Sequence, residues 1–430
     1  TPKPYWDGGT SFPLSTTWFH YYLMKNTMRM AKEQIQETAP VPQEQLKEIA
    51  GRKKSFSIGI PKENIEIEKR LAFTPEAVDM LVDAGHRVVL RKGAGAGINY
   101  SDARYSEAGA TIVSSEQEIY ECDLIFKIAP PTEREVSLMK NKITVCSMLS
   151  LPELSADTIK AMSNKQINAI GYELITPDGL TFPVRDSISE IEGAASISVA
   201  SELLSNERGG KGVLMGGIPG VVPAEVMIIG AGVAGTVAAR AALALGAEIK
   251  VFDSDIQKLK KLQNDLGHSV FTSVLQPNVL VNAFKTADVV IGAMRYINDP
   301  VRYLISEDAI KTMKKGAVVI DLRVNQGGCF ETTCFLPAGH PTVFVRHNIT
   351  HYCVPNLSSR VARTTSMALS NIFTPLVLHL SELGDVAHIA QSDVEFRSGL
   401  YIYSGKLVNN YVASHFNLPA HDISLFLSVF

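Results

Sequence analysis

Three glycines in the stretch Gly230-Ala231-Gly232-Val233-Ala234-Gly235 stand between an apolar run at 226–229 and an alanine-rich segment. That order predicts a strand, a tight turn and a helix whose first amides converge on an anion. Gly230 suits the turn, Gly232 lets a pyrophosphate approach the backbone, and Gly235 lets helix lie against strand, with Val233 and Ala234 completing the contact loop. A second apolar run, 248–252, ends at Asp253, 23 positions after Gly230. A carboxylate at that spacing accepts hydrogen bonds from ribose hydroxyls and repels a 2′-phosphate, which points to NAD rather than NADP. An empty fold whose glycines serve packing alone is the competing reading, and the presence of strand, helix and acid together speaks against it.

The elements that must position this loop repeat along the chain. Strand-like runs at 56–60, 86–90, 122–128, 142–148 and 167–172 precede the glycine motif, with a helical stretch at 74–85 after the first. Thr74 is expected to cap that helix, Pro75 to open it and Gly85 to close it in the left-handed conformation. Further β-α units follow at 269–275, 286–294 and 314–324, the last two ending at Gly292 and at the turn Asn325-Gln326-Gly327-Gly328. Ligands bind at the carboxyl ends of parallel strands, so 292–295 and 323–328 are candidate site loops. The fold class expected is α/β, with two Rossmann-like doubly wound domains.

Composition agrees with this and excludes other classes. Hydrophobic residues make up 46% and charged residues 20% of 430 positions, enough for two cores. Forty-one basic against 44 acidic residues, without long runs of either sign, leave no footprint for nucleic acid. Cysteines at 122, 146, 329, 334 and 353 form no CxxC pair, which argues against a disulfide framework or a metal site and for a reducing, cytoplasmic setting. No apolar stretch approaches the ~20 residues of a membrane span. The chain starts at Thr1 rather than methionine, which leaves open a removed leader. Residues 1–54 differ in texture from the rest. Aromatics such as Trp18 and Tyr22 interleave with Lys25, Arg29 and Lys32, as in an appended arm with a helix ending before Pro40 and a role in protein contact.

Several ordered stretches carry a resemblance: GIPKE at 59–63, RLAFTP at 70–75, SEIEG at 189–193, GKGVLMGGIPGV at 210–221, the glycine motif, QGGCFET at 326–332 and HYCVPN at 351–356. From Ser57 to Leu418 the chain resembles the alanine dehydrogenase and transhydrogenase alpha-subunit family, alanine dehydrogenase most closely. The resemblance implies a discontinuous substrate domain at 55–184 and 363–430, an NAD domain inserted at 185–362, a site in the cleft between them, and a homo-oligomer, commonly a hexamer. It implies a small amino or 2-oxo acid as substrate. It places at Arg70 the arginine that grips the substrate carboxylate, work that suits a planar guanidinium fork, although an ion pair between domains would also explain that residue. Ser189 and Asn356 match family positions near the cofactor.

Three matched positions depart from the pattern. The family's second carboxylate-binding lysine falls at Ala129, its acid/base histidine at Ser150 and the aspartate before the QGG turn at Asn325. Oxidative deamination needs a group that moves protons near neutral pH, worth ~10²–10⁴ in rate, and a serine hydroxyl alone does not supply one. If the strands continue, Lys127 shares a face with position 129 and Arg323 with 325, offering partial substitutes. His351 at a strand start reads as structural. Three functions remain in contention: an atypical NAD-dependent amino-acid oxidoreductase, a noncatalytic NAD(H)-binding or assembly protein, and a hydride relay like the transhydrogenase alpha subunit, which needs no acid/base.

Overall fold

The computed structural model describes residues 54–149, 151, 153–294, 304–334, 342–384, 390 and 393–427. The arm expected over 1–54 lies outside the described residues apart from its last position, and so does Ser150.

Two sheets organise these residues. The first uses β1 (Ser57–Ile60), β2 (Arg87–Arg91), β3 (Thr111–Val113), β4 (Leu124–Phe126), β5 (Thr144–Ser147) and β6 (Asn168–Gly171), then β14 (Leu400–Tyr403) and β15 (Lys406–Leu407) after a long excursion. The second uses β7 (Glu225–Ile229), β8 (Glu248–Phe252), β9 (Phe271–Ser273), β10 (Val289–Gly292), β11 (Val318–Asp321), β12 (Val343–Arg346) and β13 (Ile349–Tyr352). Their orders are β15-β14-β6-β5-β4-β1-β2-β3 and β12-β13-β11-β10-β7-β8-β9. The first contains the doubly wound 3-2-1-4-5-6 pattern and the second 3-2-1-4-5 with β13 in the sixth place, parallel except where β14, β15 and β12 pair antiparallel with their neighbours. The chain therefore leaves the first sheet, builds the second and returns, as the fold reading required.

Side chains that alternate along each central strand feed a core on either face, the reason these strands read as unbroken apolar runs. Ile58 and Phe126 face one core of the first sheet while Ile125 and Val145 face the other. In the second sheet, Val226 and Ile228 face one core and Met227 and Ile229 the opposite one.

Helices α1 (Pro75–Asp83), α2 (Pro183–Leu204), α3 (Val233–Ala244) and α4 (Ala362–Leu383) position the site. Helix α1 starts at Pro75 as predicted, and Gly85 just beyond its end has φ +91°. Thr74 is extended at the N-cap but its side chain makes no capping bond. Its amide instead donates to Ser370 Oγ of α4 at 2.9 Å, because this turn is fixed by the returning chain rather than by itself. Helix α2 joins the sheets: Val184 and Ile188 pack into the first core, and Ala195 through Leu204 into the second.

Candidate active site

The glycine loop joins β7 to α3 at the point where strand order reverses. Gly230 has φ +113°, and a Cβ there would lie 2.6 Å from Met294 N beyond β10. A Cβ on Gly235 would sit 1.8 Å from Gly230 O, so only glycine lets α3 start so close to the strand. Nothing lies within 4 Å of a Cβ on Gly232, which leaves open space above the first amides of the 12-residue α3. Val233 is partly exposed beside this space and Ala234 is buried. The residues present fit a dinucleotide pyrophosphate, whose charge the amides and the positive helix end would meet.

Asp253 sits at the end of β8, buried, with Oδ2 accepting from Ala231 N at 2.7 Å and Oδ1 from Asp255 N at 2.9 Å. It holds the glycine loop to the second strand. Each oxygen keeps a lone pair for a ribose hydroxyl. Gly193 on α2 was not singled out by sequence, yet a Cβ there would meet Ala234 O at 2.3 Å, so it sets how closely α2 crosses α3. The SEIEG stretch also carries Ser189, which is buried on α2.

A second cluster lies where the two halves of the chain meet. The loop carrying Arg70 is held by serines from the returning segment: Lys69 N donates to Ser359 Oγ at 3.0 Å and Leu71 N to Ser366 Oγ at 2.8 Å. Arg70 itself is buried. Its Nε donates to Glu68 Oε1 at 2.8 Å, Nη2 to Glu68 Oε2 at 2.6 Å and Nη1 to Ser358 Oγ at 3.0 Å. Asn356, in the left-handed conformation at φ 73°, donates to Glu68 Oε2 at 2.6 Å. Burial by itself would raise the Glu68 carboxyl, but the Arg70 charge and these hydrogen bonds outweigh it and hold it below the usual carboxylate range. In this arrangement Glu68 fills the fork expected to take a substrate carboxylate. The void beside Glu63, Glu68 and Arg70 measures only about 10 Å³, roughly one water. Glu68 was legible only as part of a charged run, since nothing in its spacing marks it as Arg70's partner.

Lys127 does not share a strand face with Ala129, because β4 stops at Phe126. Its Nζ is buried and donates to Pro130 O at 3.1 Å and Glu135 Oε2 at 3.2 Å, with Glu63 Oε2 at 3.7 Å. Burial would lower the Lys127 amine, but these two carboxylates more than reverse that and keep it charged. Ala129 is half-buried. Likewise β11 ends at Asp321, so Arg323 and Asn325 lie on a turn, with Asn325 in a short 3₁₀ segment and half-buried. Asp321, which sequence reasoning passed over, pins that turn by accepting from Arg323 N at 2.8 Å, Cys329 N at 2.7 Å and Thr333 Oγ1. His351 is structural: it is fully buried, bonds Ile349 O and Thr332 Oγ1, and stacks on Phe344.

Glu173 lies in the short 3₁₀ turn Tyr172–Leu174 that follows β6. Its Oε1 accepts from Leu149 N at 2.6 Å, and Oε2 is out of reach of solvent without a hydrogen bond among the described residues. Burial pushes this carboxyl up to about 7. No described cluster of His, Cys, Asp or Glu could hold a metal ion, and no described helix is long and apolar enough to cross a membrane.

Two doubly wound sheets, a glycine cradle at the switch point of the second and a polar cluster between them define an α/β protein of the Rossmann-like fold class. Residues 59–192 match the N-terminal domain model of alanine dehydrogenase/PNT, and residues 196–410 match the C-terminal one. The chain is 35% identical over 366 residues to the alanine dehydrogenase of Staphylococcus saprophyticus, covering 85% of this chain and 98% of that one. It is 35% identical over 368 residues to alanine dehydrogenase 2 of Staphylococcus aureus strain USA300, covering 86% and 98%. Among solved structures, an L-alanine dehydrogenase superposes with TM-score 0.79 at 31% identity, covering 84% of this chain and 99% of that one. The transhydrogenase of Sinorhizobium meliloti shares the fold with TM-score 0.69 at 23% identity, covering 83% and 99%. The protein belongs to the alanine dehydrogenase/PNT family.

Proposed function

We propose that this protein is an NAD(H)-dependent oxidoreductase acting on a small amino or 2-oxo acid, of the alanine–pyruvate type, with a depleted set of proton-moving groups. The observation that carries the reading is the cradle: open space at Gly232, close packing at Gly235 and Gly230, and Asp253 with free lone pairs at the second strand. Bound there, NAD(H) supplies the hydride donor or acceptor. The amides after Gly230 bind the pyrophosphate, Asp253 orients the ribose, and the turn at 323–328 borders the reacting face with Asn325. Ser189 and Asn356 line the cofactor side as family matches. The domains run over 185–362 for NAD and over 55–184 with 363–430 for substrate, and the protein works as a cytoplasmic homo-oligomer.

The other half of the reaction is impoverished. Ala129 has no group to hold a carboxylate, and Ser150 has none that titrates near neutrality. Arg70 can reach a substrate carboxylate only by exchanging Glu68, so in this geometry it positions the loop rather than the substrate. Slow turnover follows. The closed Glu68–Arg70 pair also favours a second reading, a noncatalytic NAD(H)-binding protein.

Titrating protein into NADH and following its fluorescence, then adding pyruvate with ammonium, tests both. Binding followed by NADH loss supports the oxidoreductase, binding without loss supports the noncatalytic reading, and no binding overturns both.

A further inference from the structure

Of the five free cysteines, Cys122, Cys146, Cys329 and Cys353 are buried and only Cys334 is exposed. Cys353 is the first residue after β13 and is fully buried. Three contacts bring the segment that ends at Cys334 to it. His351 Nε2 bonds Thr332 Oγ1 at 2.9 Å, and side chains two apart along a strand share a face, so Cys353 looks toward the same segment as His351. In the register of β11 with β13, Ile320 pairs with Tyr352, which sets Asp321 beside Cys353, and Asp321 Oδ2 accepts from Thr333 Oγ1. The Cys353 thiol itself faces the Thr333 hydroxyl and the Cys334 amide. Residues 332 to 334 therefore run past 351 to 353 in step. A disulfide needs α-carbons within about 7 Å, the scale of a contact between one residue's side chain and the other's backbone.

The two thiols are unequal in a way that orders the chemistry. Burial pushes the Cys353 thiol up to about 12, with the Asp321 charge adding to the rise, so it is protonated and shielded. Cys334 meets a dissolved oxidant first. Its thiolate attacks hydrogen peroxide, the O–O bond breaks, one oxygen stays as the Cys334 sulfenic acid, and the other leaves as hydroxide and takes up a proton. A sulfenic acid with no thiol beside it goes on to sulfinic acid. Here the Cys353 sulfur attacks the Cys334 sulfur, the S–O bond breaks, and the departing hydroxide takes the Cys353 proton and leaves as water. Two thiols and one peroxide thus become one disulfide and two waters. The small thiolate fraction at Cys353 is offset by its being held beside its target.

We propose that Cys334 and Cys353 are a modification site, a reversible disulfide formed by peroxide that fastens the chain after the turn at 325–328 to β13. Asp321 pins that turn through Cys329 N and also holds Thr333, the neighbour of Cys334, so the link stiffens the loop that borders the cofactor cradle. Its formation does not depend on which reaction the protein catalyses.

The full chain, first reduced and then treated with hydrogen peroxide, is alkylated, digested without reductant and mapped by mass spectrometry. The expected product is a peptide linking 334 to 353 within one chain and lost on adding dithiothreitol, with amide exchange over 329–334 slowed at least about threefold in the linked form. In Cys334→Ser no link should form and Cys353 should stay reduced, whereas in Cys353→Ser the same peroxide should carry Cys334 to sulfinic acid. Should Cys353→Ser fail to fold, the parent and Cys334→Ser, altered only at an exposed position, decide alone. Peroxide that takes Cys334 of the parent to sulfinic acid, that links it only between two chains, or that gives a link without slowing exchange would overturn the proposal.

Discussion

Two opposite charges tolerate burial when each satisfies the other, and removing one strands its partner. Arg70 and Glu68 are in that position, with side chains 2% and 6% exposed. Glu68→Gln should therefore cost about 3–5 kcal/mol in urea unfolding, far beyond an exposed pair. The sign with pH is fixed by the lowered Glu68 carboxyl: its contribution is complete above the ordinary value of about 4.3 and is lost as pH falls through the folded value. Parent and variant should converge in stability as the solution is acidified below that value; a gap that persists there would show that packing, not charge, is lost. The second prediction at this scale concerns the replaced positions. Ser150→His alone should change little, because proton transfer and substrate placement multiply rather than add. Ala129→Lys, Ser150→His and Asn325→Asp together should raise alanine-dependent NADH formation by at least ~10²-fold. A parent protein that already turns over alanine at an ordinary rate, about 10 per second, would refute the assignment of these positions. Motif and spacing singled out Arg70 and Asp253 as candidates, whereas the reading of Lys127 assumed a strand that stops at Phe126. Sequence could not show that Arg70 is already occupied, or that Lys127 turns toward Glu63 and Glu135, since Glu68 and Glu63 lie on loops and Glu135 on a short helix whose placement against Lys127 no local pattern fixes.

At the scale of elements, the three fingerprint glycines are equal in sequence and unequal in structure. Gly232 has ordinary φ −75° and open space, so Gly232→Ala should leave the melting temperature within a degree or two while weakening NADH at least tenfold by filling the cradle. Gly235→Ala has backbone 1.8 Å from its new methyl and should destabilise the fold by more than about 3 kcal/mol, as severe overpacking does. Gly193→Ala, 2.3 Å from Ala234 O, should do likewise by forcing α2 from α3. Thermal unfolding beside NADH titration separates these cases, and a Gly232→Ala protein that binds NADH normally would place the pyrophosphate elsewhere. Central strands were legible because burial on both faces writes an apolar run into the chain: the predicted run at 248–252 became β8 residue for residue. Strand ends were not. The runs at 122–128 and 314–324 shrank to β4 and β11, since the chain leaves the sheet where a turn or a site begins, and the Thr74 cap gave way to a serine from α4. The antiparallel additions β12, β14 and β15 have no comparable local signal.

Across the molecule, the two sheets are not independent bodies joined by a hinge alone. Helix α2 puts its first turns into the first core and its later turns into the second, while α4 returns to the first core through Leu369, Phe373 and Val377. Opening one sheet therefore removes one wall of the other's core, and the serines of the returning segment tie the Arg70 loop to the same event. The expectation is a single unfolding transition for the described region. Ligand that binds only the folded cradle at 100 times its dissociation constant adds about 2.7 kcal/mol to that whole transition. Calorimetric scans with increasing NADH should then show one endotherm moving upward, and hydrogen exchange should slow in β1, β4 and β5 as well as in β7 and β10. Two endotherms of which only one responds, or slowed exchange confined to the second sheet, would mean that α2 transmits no stability and that the halves fold as separate units.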